Sequence, residues 1–345
     1  MRNIYTIFIA AMALLAACTV NDVRQQAASS CEYASYFDIL ADSAVVAISP
    51  FDGSRDTVLV RRPLSRIICM SSTNVACLSA IGADSLVAAV SGAGYLAKLP
   101  YEGVPDIGYE AALDYEKILE IKPDLLVTYV VSGAEPQYIT KLRSLGVPVL
   151  VLHDHLENHP LARAEYVRLF GALTGRMEQA DSVFDFVKER YEILADSVKD
   201  NSRVKVLLNI PYADAWYIPG AENYMSQLVR DAAGEVLGAE AGASKSRVIS
   251  LEDAYNLSRN ADIWLNPGHC RTRSQLEAVH QLFPSFGPLA NGRPIYNNTL
   301  RTTPEGGNDF WESGAVRPDL ILEDLIQVFH SDGCRNLNYY FRLED

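Results

Sequence analysis

Residues 177–200 read MEQADSVFDFVKERYEILADSVKD, and their apolar side chains recur at helical spacing. The apolar positions on one face are Val183, Phe184, Val187, Tyr191, Leu194, Ala195 and Val198. This period predicts a single long helix. At 1.5 Å per residue the helix would be roughly 35 Å long, about the span of a small domain. Gly175, just before it, predicts the end of an earlier helix. We therefore expect the long helix to brace two parts of the chain.

The two halves on either side of this helix follow the same order of parts. Each half begins with a short apolar run, at residues 66–70 and 204–210, and a helical pattern then ends at residues 80–83 and 231–234. A further apolar strand closes the repeated pattern at residues 122–127 and 260–265. A repeated order of this kind indicates two lobes of one plan, joined by the helix.

Short apolar strands alternate with helical patterns in the first half. The predicted strands are 67–70, 86–90, 125–129 and 149–152, and the predicted helices are 73–81, 115–121 and 136–145. In the second half we predict strands at 206–210 and 263–265 and a last helix at 318–329. This alternation of strands and helices implies a mainly parallel sheet with helices covering both faces. The predicted fold class is α/β, with two Rossmann-like lobes whose mainly parallel sheets are joined by the long rigid helix.

The chain divides into segments by composition and pattern. We predict a lipoprotein signal peptide at 1–17, a tether at 18–30, an accessory hairpin at 31–63, an N-terminal lobe at 64–157, connector helices at 158–202, a C-terminal lobe at 203–332 and a tail at 333–345. The accessory hairpin rests on the turn residues Ser49, Pro50, Asp52 and Gly53 between two short apolar runs.

Composition and charge narrow the classes of partner. The 345 residues are 49% hydrophobic and 21% charged, an ordinary globular balance with room for two cores. The formal net charge of -13 argues against nucleic acid or an anionic membrane surface as the main partner, because both require clustered Lys and Arg.

The N-terminus predicts export and a lipid anchor. Arg2 precedes an apolar run over residues 4–17, and no other apolar run of membrane-spanning length follows. Leu15-Ala16-Ala17-Cys18 resembles the lipobox of bacterial lipoproteins, in which the peptide is cut before the Cys and the Cys carries lipid. We predict lipidation of Cys18 and anchoring in the cell envelope on the periplasmic side. A plain secretory signal with an incidental Cys is the alternative.

The remaining cysteines and the histidines predict no metal site. Cys31, Cys69, Cys77, Cys270 and Cys334 are odd in number and lack CxxC spacing, so core thiols are favoured over a zinc site or a complete disulfide framework. His153, His155 and His159 form a cluster whose spacing fits no regular ligand pattern. Solvated histidines near a hinge are the favoured interpretation, and a free divalent ion remains an alternative ligand.

Candidate ligand contacts follow the ends of predicted strands. In parallel sheets ligands bind beyond the carboxyl ends of strands, where glycines let a ligand approach the backbone and tyrosines offer an apolar face with a polar tip. We select Tyr95, Tyr109, Trp216, Tyr217, Arg301 and Trp311, and we note Tyr129 at the end of another strand. No GxGxxG or GxxxxGK[ST] motif occurs, so a nucleotide site is not expected.

Several stretches resemble the periplasmic binding proteins for cobalamin, haem and ferric siderophores that serve ABC importers. The stretches are Arg66-Ile67-Ile68 with Ala80-Ile81-Gly82-Ala83, residues 115–127 (YEKILEIKPDLLV), Leu145-Gly146-Val147-Pro148-Val149, Trp216-Tyr217-Ile218-Pro219-Gly220, and residues 310–314 (FWESG) with Pro318-Asp319. The block from Glu116 to Asp124 is the most specific of them.

The resemblance implies two α/β lobes, a rigid helical brace, a ligand cleft between the lobes and little hinge closure. It implies a substrate-binding lipoprotein that takes an iron complex (ferric siderophore or haem) or cobalamin and performs no catalysis. The partners would be an ABC permease dimer with its ATPase, and the protein would act as a monomer without a cofactor. Glu116 and Glu252 match the positions at which this family presents one glutamate per lobe to permease arginines. A chelatase-like or metal-cluster enzyme on a related two-lobed fold is the alternative from another class.

Overall fold

The structure is a computed structural model that describes residues 30–40, 44–97, 103–213, 215–331 and 333–345. The predicted signal peptide at 1–17, Cys18 and the tether as far as residue 29 lie outside the described residues. Within the part of the chain that is described, no helix is long and apolar enough to cross a membrane.

A three-stranded antiparallel sheet stands where the sequence predicts an accessory hairpin. Its strands are β1 Phe37–Leu40, β2 Ala44–Ile48 and β3 Arg55–Leu59, in the order β1-β2-β3. The turn between β2 and β3 closes through the Gly53 N–H, which donates to the Ser49 carbonyl at 3.0 Å. Gly53 has a φ of 71°, a conformation that costs glycine little because it lacks a Cβ.

Two buried carboxylates fix the chain just ahead of β1. Glu165 accepts the backbone N–H groups of Glu32, Tyr33 and Ala34, each at 2.8–2.9 Å. Glu157 accepts those of Ser35 and Tyr36 through its Oε1 atom, both at 2.9 Å. These hydrogen bonds satisfy five consecutive backbone N–H groups and hold the segment before β1 on the body of the protein.

The N-terminal lobe has a four-stranded parallel sheet, as predicted. Its strands are β4 Ile67–Cys69, β5 Val87–Val90, β6 Leu125–Tyr129 and β7 Val149–Leu152, in the order β5-β4-β6-β7. The helices of this lobe are α1 Ser72–Ala80, α2 Tyr115–Ile121 and α3 Gln137–Ser144. Strand β7 would leave an open edge, but β2 and β3 pack beside it and so protect it from pairing with another chain.

Three helices connect the lobes: α4 Pro160–Ala164, α5 Tyr166–Thr174 and α6 Met177–Val198. Helix α6 is the predicted long helix and has 22 residues. Its buried face includes Phe184, Val187 and Tyr191, which the helical spacing selected. Gly175 ends α5 with a φ of 69°, also as predicted.

The C-terminal lobe has a second, mainly parallel sheet. The strands are β8 Val204–Leu208, β9 Trp216–Ile218, β10 Gly234–Val236, β11 Arg247–Ile249, β12 Ile263–Leu265, β13 Ile295–Asn297 and β14 Phe341–Arg342. The helices are α7 Tyr224–Asp231, α8 Leu251–Ser258, α9 Arg273–Val279, α10 Gly287–Ala290, α11 Ser313–Val316 and α12 Pro318–His330. The main sheet has the order β10-β8-β12-β13-β14, and only β14 is antiparallel to its neighbour. Strands β9 and β11 form a separate antiparallel pair.

Residues 333–345, predicted as a tail, are part of the C-terminal lobe. The buried Asp324 carboxylate accepts the N–H groups of Asn338, Tyr339 and Tyr340 at 2.7–3.2 Å. Both tyrosines are buried, and the chain then adds β14 to the sheet. Without this segment, Asp324 would be a buried carboxylate lacking these donors, which is costly.

Candidate ligand-binding cleft

A cavity of about 450 Å³ lies where the carboxyl ends of the N-terminal strands face the C-terminal lobe. Residues of the N-terminal lobe and of the connector form most of its wall, and Trp311 reaches it from the C-terminal lobe. The lining residues are Met70, Ser71, Ser72, Thr73, Ser91, Gly92, Tyr95, Leu96, Tyr109, Tyr129, Asp154, His155, Arg163 and Trp311. The structure thus brings together three of the six predicted ligand contacts: Tyr95, Tyr109 and Trp311.

Tyr95 and Tyr109 form one aromatic wall. Their ring centroids are 5.8 Å apart and the rings meet edge to face at 84°. Gly92 has a φ of 72°, and a Cβ there would lie 2.6 Å from the Tyr109 hydroxyl oxygen, so only glycine lets the ring lie across this loop. Desolvation and the neighbouring Tyr95 raise the pKa of Tyr109, which keeps the phenol neutral at physiological pH. Both rings remain about half exposed and can accept a ligand.

Tyr129 and His155 form a second ring pair, with centroids 5.8 Å apart and an angle of 70°. Burial lowers the pKa of His155, so its imidazole is neutral near pH 7. Tyr129 follows the same strand-end pattern that selected Tyr95. The sequence showed His155 only as one of three clustered histidines, and nothing in it placed this residue in the cleft.

The floor of the cleft is polar and charged. The Thr73 hydroxyl donates to Asp154 Oδ2 at 3.0 Å, and Arg163 Nη2 lies 3.8 Å from the same oxygen. Both charged side chains are more than nine-tenths buried. Sequence reasoning missed Arg163, because it sits in the short connector helix α4 and its burial depends on contacts with both lobes.

The prediction that Trp216 contacts the ligand is wrong, because the structure places this residue in the core. Its side chain is 1% exposed, and its ring stacks on Trp264 and Phe286 with centroids 6.0 and 5.8 Å away. Its indole N–H donates to the Leu208 carbonyl at 3.0 Å, which satisfies the polar atom. The pattern failed here because β9 pairs with β11 outside the parallel sheet, so its end does not open into the cleft.

Tyr217 and Arg301 are exposed but are not among the residues that line the cavity. Arg301 is engaged elsewhere: its Nη2 lies 2.9 Å from Asp309 Oδ2, and its guanidinium lies over the Tyr339 ring at 4.5 Å. It braces the loop of residues 301–312, which we call the strap.

The strap of the C-terminal lobe contacts the N-terminal lobe beside the cleft. Glu312 Oε2 accepts the Ala97 N–H at 2.8 Å. Gly307 lies against Tyr95 so closely that a Cβ on Gly307 would be 2.0 Å from the Tyr95 carbonyl oxygen. The strap therefore supports the loop that carries Tyr95.

The three clustered histidines diverge. His153 lies against Phe51, with ring centroids 5.8 Å apart, whereas His159 lies against Tyr33 at 4.9 Å. His159 Nδ1 accepts the Leu161 N–H at 3.1 Å and so caps α4. Among the described residues, no group of three or more His, Cys, Asp or Glu side chains could hold a metal ion.

The five described cysteines are not joined in disulfides. Cys69, Cys77 and Cys270 are buried, and Cys31 and Cys334 are partly buried. Burial raises the pKa of the Cys69 thiol to about 12, which is typical of an inert core thiol.

A second cavity, of about 460 Å³, lies between α1, α6 and the residues Glu312, Ser313, Val316 and Arg317. It is lined mainly by apolar helix side chains and holds none of the strand-end aromatic residues. The cleft, unlike this cavity, combines aromatic walls with convergent polar groups, as small-molecule sites commonly do.

Glu116 and Glu252 occupy matching positions in the two lobes. Each is exposed and is the second residue of its helix, in α2 and α8. The preceding caps are also alike, because Asp114 accepts the Lys117 N–H and Ser250 accepts the Asp253 N–H, both at 3.0 Å.

Comparison with known proteins agrees with this architecture. A family model described as periplasmic binding protein matches residues 67–282. The chain belongs to the periplasmic binding protein family. It is accordingly a solute-binding protein and not an enzyme, and the family resemblance noted in the sequence is confirmed, as is the two-lobed α/β fold.

Individual relatives share a low sequence identity with this chain. An uncharacterized lipoprotein of Methanocaldococcus jannaschii is 24% identical over 301 residues, covering 83% of this chain and 70% of the relative. An ABC-type Fe3+-hydroxamate transport system protein of Saccharomonospora viridis has a TM-score of 0.60 at 17% identity, covering 82% of this chain and 98% of that one. The periplasmic heme-binding protein RhuT of Roseiflexus has a TM-score of 0.59 at 20% identity, covering 77% and 98%.

Proposed function

We propose that this chain is a lipid-anchored substrate-binding protein of an ABC importer, which captures an iron complex (ferric siderophore or haem) or cobalamin and delivers it to the membrane permease. The observation that carries the proposal is the cleft of about 450 Å³ whose walls are Tyr95, Tyr109, Tyr129 and Trp311. Aromatic walls suit flat, conjugated ligands, which bury large areas against them.

The cleft also offers few of the side chains that a free divalent ion would require. Its histidine is single and neutral, so a free divalent ion would have few ligands there. A metal chelate is supported by the family and by two structural relatives, one from an Fe3+-hydroxamate transport system and one that binds haem. We therefore propose Tyr95, Tyr109, Tyr129 and Trp311 as ligand contacts. Trp216 is not one of them, because its side chain is buried in the core.

The test is a set of absorption titrations on the purified mature protein. Haem, cyanocobalamin and a ferric siderophore absorb at different visible wavelengths, so one titration for each identifies the ligand class. We expect saturable binding with a spectral change for at least one of them. If none binds while zinc or manganese binds at one ion per protein, the proposed ligand class is wrong.

The lipid anchor is the second part of the proposal. It is supported by Leu15-Ala16-Ala17-Cys18 and by the lipoprotein relative. A Cys18→Ser variant should leave the membrane fraction, because a chain without acyl groups loses about 0.8 kcal/mol of membrane binding per buried CH₂. Detergent partitioning of the variant beside the parent measures this. A variant that still partitions with the membrane would disprove lipidation at Cys18.

We also propose that Glu116 and Glu252 dock the protein on the two permease subunits. Their support is the matching position at the start of one helix in each lobe, on exposed side chains. A pair of like sites suits a receptor with two similar subunits.

A further inference from the structure

The first turn of α1 forms one side of the cleft floor. Ser71, Ser72 and Thr73 line the cavity there, and α1 has nine residues. Backbone N–H groups at a helix N-terminus carry a partial positive charge that attracts anions. No acidic residue lies in the first turn of this helix, so its own sequence does not neutralise that charge. On its own this feature would not define a site.

Arg163 supplies an independent observation on the same floor. Its side chain is only 8% exposed, and its buried Nε has no hydrogen-bond partner. The nearest carboxylate oxygen, on Asp154, is 3.8 Å from Nη2, which is beyond hydrogen-bond distance. The face of the guanidinium lies over the Tyr224 ring at 4.7 Å, so stacking holds its plane while donors at its edge remain for another group.

A buried guanidinium with an unsatisfied N–H is costly unless another group accepts from it. An oxyanion of a ligand in the cleft would accept from Arg163 and would also meet the N-terminus of α1. Carboxylates and phosphates match the fork of donors on arginine better than any neutral group does.

We propose that the cleft floor is an anion subsite, in which Arg163 and the N-terminal turn of α1 bind a carboxylate or phosphate group of the ligand. The inference rests on the proposed function and deepens it, because it selects metal chelates that carry a carboxylate or phosphate group over chelates that lack one. A porphyrin with propionates, a carboxylate siderophore and a corrinoid with its phosphodiester all carry such a group. Their ester, hydroxamate and phosphate-free counterparts do not.

Asp154 sets the strength of this subsite. It accepts the Thr73 hydroxyl and lies beside Arg163, so it offsets part of the positive charge before a ligand arrives. Replacing Asp154 by Asn keeps an oxygen for the Thr73 hydroxyl but removes the negative charge. Asp154→Asn and Arg163→Met should therefore change anion binding in opposite directions.

The experiment compares three matched pairs of probes: haem with haem dimethyl ester, a ferric carboxylate siderophore with a neutral ferric hydroxamate siderophore, and cobalamin with cobinamide. For the pair that binds, the wild-type protein should prefer the anionic member by about tenfold or more. Arg163→Met, which keeps the apolar stem, should abolish this preference, and Asp154→Asn should tighten the anionic member by about threefold or more. Arg259→Gln is the matched control, because it alters an exposed arginine at the end of α8.

The outcomes separate the two proposals. If a chelate binds but its neutral partner binds equally well to the wild type, or if Arg163→Met weakens both members alike, the anion subsite is wrong and the proposed function stands. If Arg163→Met does not fold, the wild-type preference and the Asp154→Asn titration decide. If none of the six probes binds, the proposed function fails and the subsite fails with it.

Discussion

Glu157 is a single residue whose chemistry makes the stability of the protein depend on pH. Burial raises the pKa of its carboxyl from 4.5 to about 7. Between those values the folded protein keeps a proton that the unfolded chain has released. The stabilisation from this group is therefore fully present below pH 4.5 and is lost as the pH rises through about 7.

Glu157→Gln should remove most of this pH dependence. Oε1 alone accepts from the N–H groups of Ser35 and Tyr36 and from the Tyr166 hydroxyl, so one amide oxygen can replace it. The variant and the parent should be similarly stable near pH 5, and the variant should be more stable near pH 8 by up to roughly 3 kcal/mol. Urea unfolding at both pH values measures the difference.

Glu165→Gln is the contrasting control. Glu165 uses both oxygens, Oε1 for the Glu32 N–H and Oε2 for those of Tyr33 and Ala34, so an amide nitrogen would face a donor. This variant should lose about 1–3 kcal/mol at both pH values. If the slope of stability with pH persists in Glu157→Gln, another group is responsible for it.

Substitutions at Trp216 and Tyr95 should have different effects, the first on the stability of the fold and the second on ligand binding. Trp216→Ala removes a fully buried ring and should lower the free energy of unfolding by about 3–5 kcal/mol. Tyr95→Ala removes a half-exposed ring, so it should leave the melting temperature nearly unchanged and weaken ligand binding by about 1 kcal/mol or more. Thermal unfolding and ligand titration of both variants test this assignment. A Tyr95→Ala protein with unaltered affinity would place the ligand elsewhere.

These residues also show how far sequence reasoning reaches. Tyr95 and Tyr109 were found because glycine-rich loops at the ends of parallel strands face the crevice. The same rule selected Trp216 wrongly, because a sequence pattern does not reveal that β9 pairs outside the main sheet. Arg163 left no signal, since nothing local distinguishes a buried arginine in a short helix from a solvated one.

At the scale of elements, the strap should control the position of Tyr95. A Cβ on Gly307 would meet the Tyr95 carbonyl oxygen at 2.0 Å, so Gly307→Ala must push the strap away from residues 93–97. We expect a loss of about 1–3 kcal/mol in stability, faster hydrogen exchange in residues 93–97, and weaker ligand binding. Hydrogen-exchange mass spectrometry with and without ligand measures the effect.

Gly333→Ala is the matched control for the strap, because a Cβ there would have nothing within 4 Å. It should leave both exchange and affinity unchanged. Unchanged exchange at residues 93–97 in Gly307→Ala would show that the strap does not support this loop.

Elements with local signals were predicted well, and elements held by distant contacts were not. Strands β6, β7 and β12 and helix α2 have the predicted bounds, because apolar runs and capping residues mark their ends. Residues 333–345 have no such pattern, and they join the lobe through long-range contacts such as those with Asp324 and β13. The structure of this segment depends on contacts with residues that are distant in the sequence, and a local sequence pattern does not reveal such contacts.

At the scale of the whole molecule, helix α6 joins the connector to the C-terminal lobe. Its Tyr191 hydroxyl donates to Asp231 Oδ2 at 2.6 Å, and Arg190 Nη2 lies 2.7 Å from Glu323 Oε2, both in the C-terminal lobe. At its other end, Asp181 accepts from Arg168 Nε of the connector at 2.8 Å. The strap adds a contact between the two lobes beside the cleft, so we expect the lobes to keep a fixed spacing.

A fixed spacing is what a pair of docking charges on separate lobes needs. Glu116 and Glu252 are exposed, and neither forms a salt bridge with any residue that the structure describes. The helix dipole accounts for a carboxylate in the first turn, but it contributes only about 0.3–1 kcal/mol to stability. That local effect does not explain why both lobes carry a glutamate at the same helical position.

Glu116→Ala and Glu252→Ala should each slow uptake and weaken permease binding, while ligand affinity in the isolated protein stays near that of the parent. Rim charges act chiefly on association, so the defect should shrink at high salt, where the parent also docks more slowly. Glu277→Ala, an exposed glutamate of α9, is the control and should transport normally. The test measures uptake by cells that carry the permease and, in parallel, ligand titration of the soluble protein. Unchanged uptake, or a large loss of ligand affinity, would mean that these glutamates are not the docking pair.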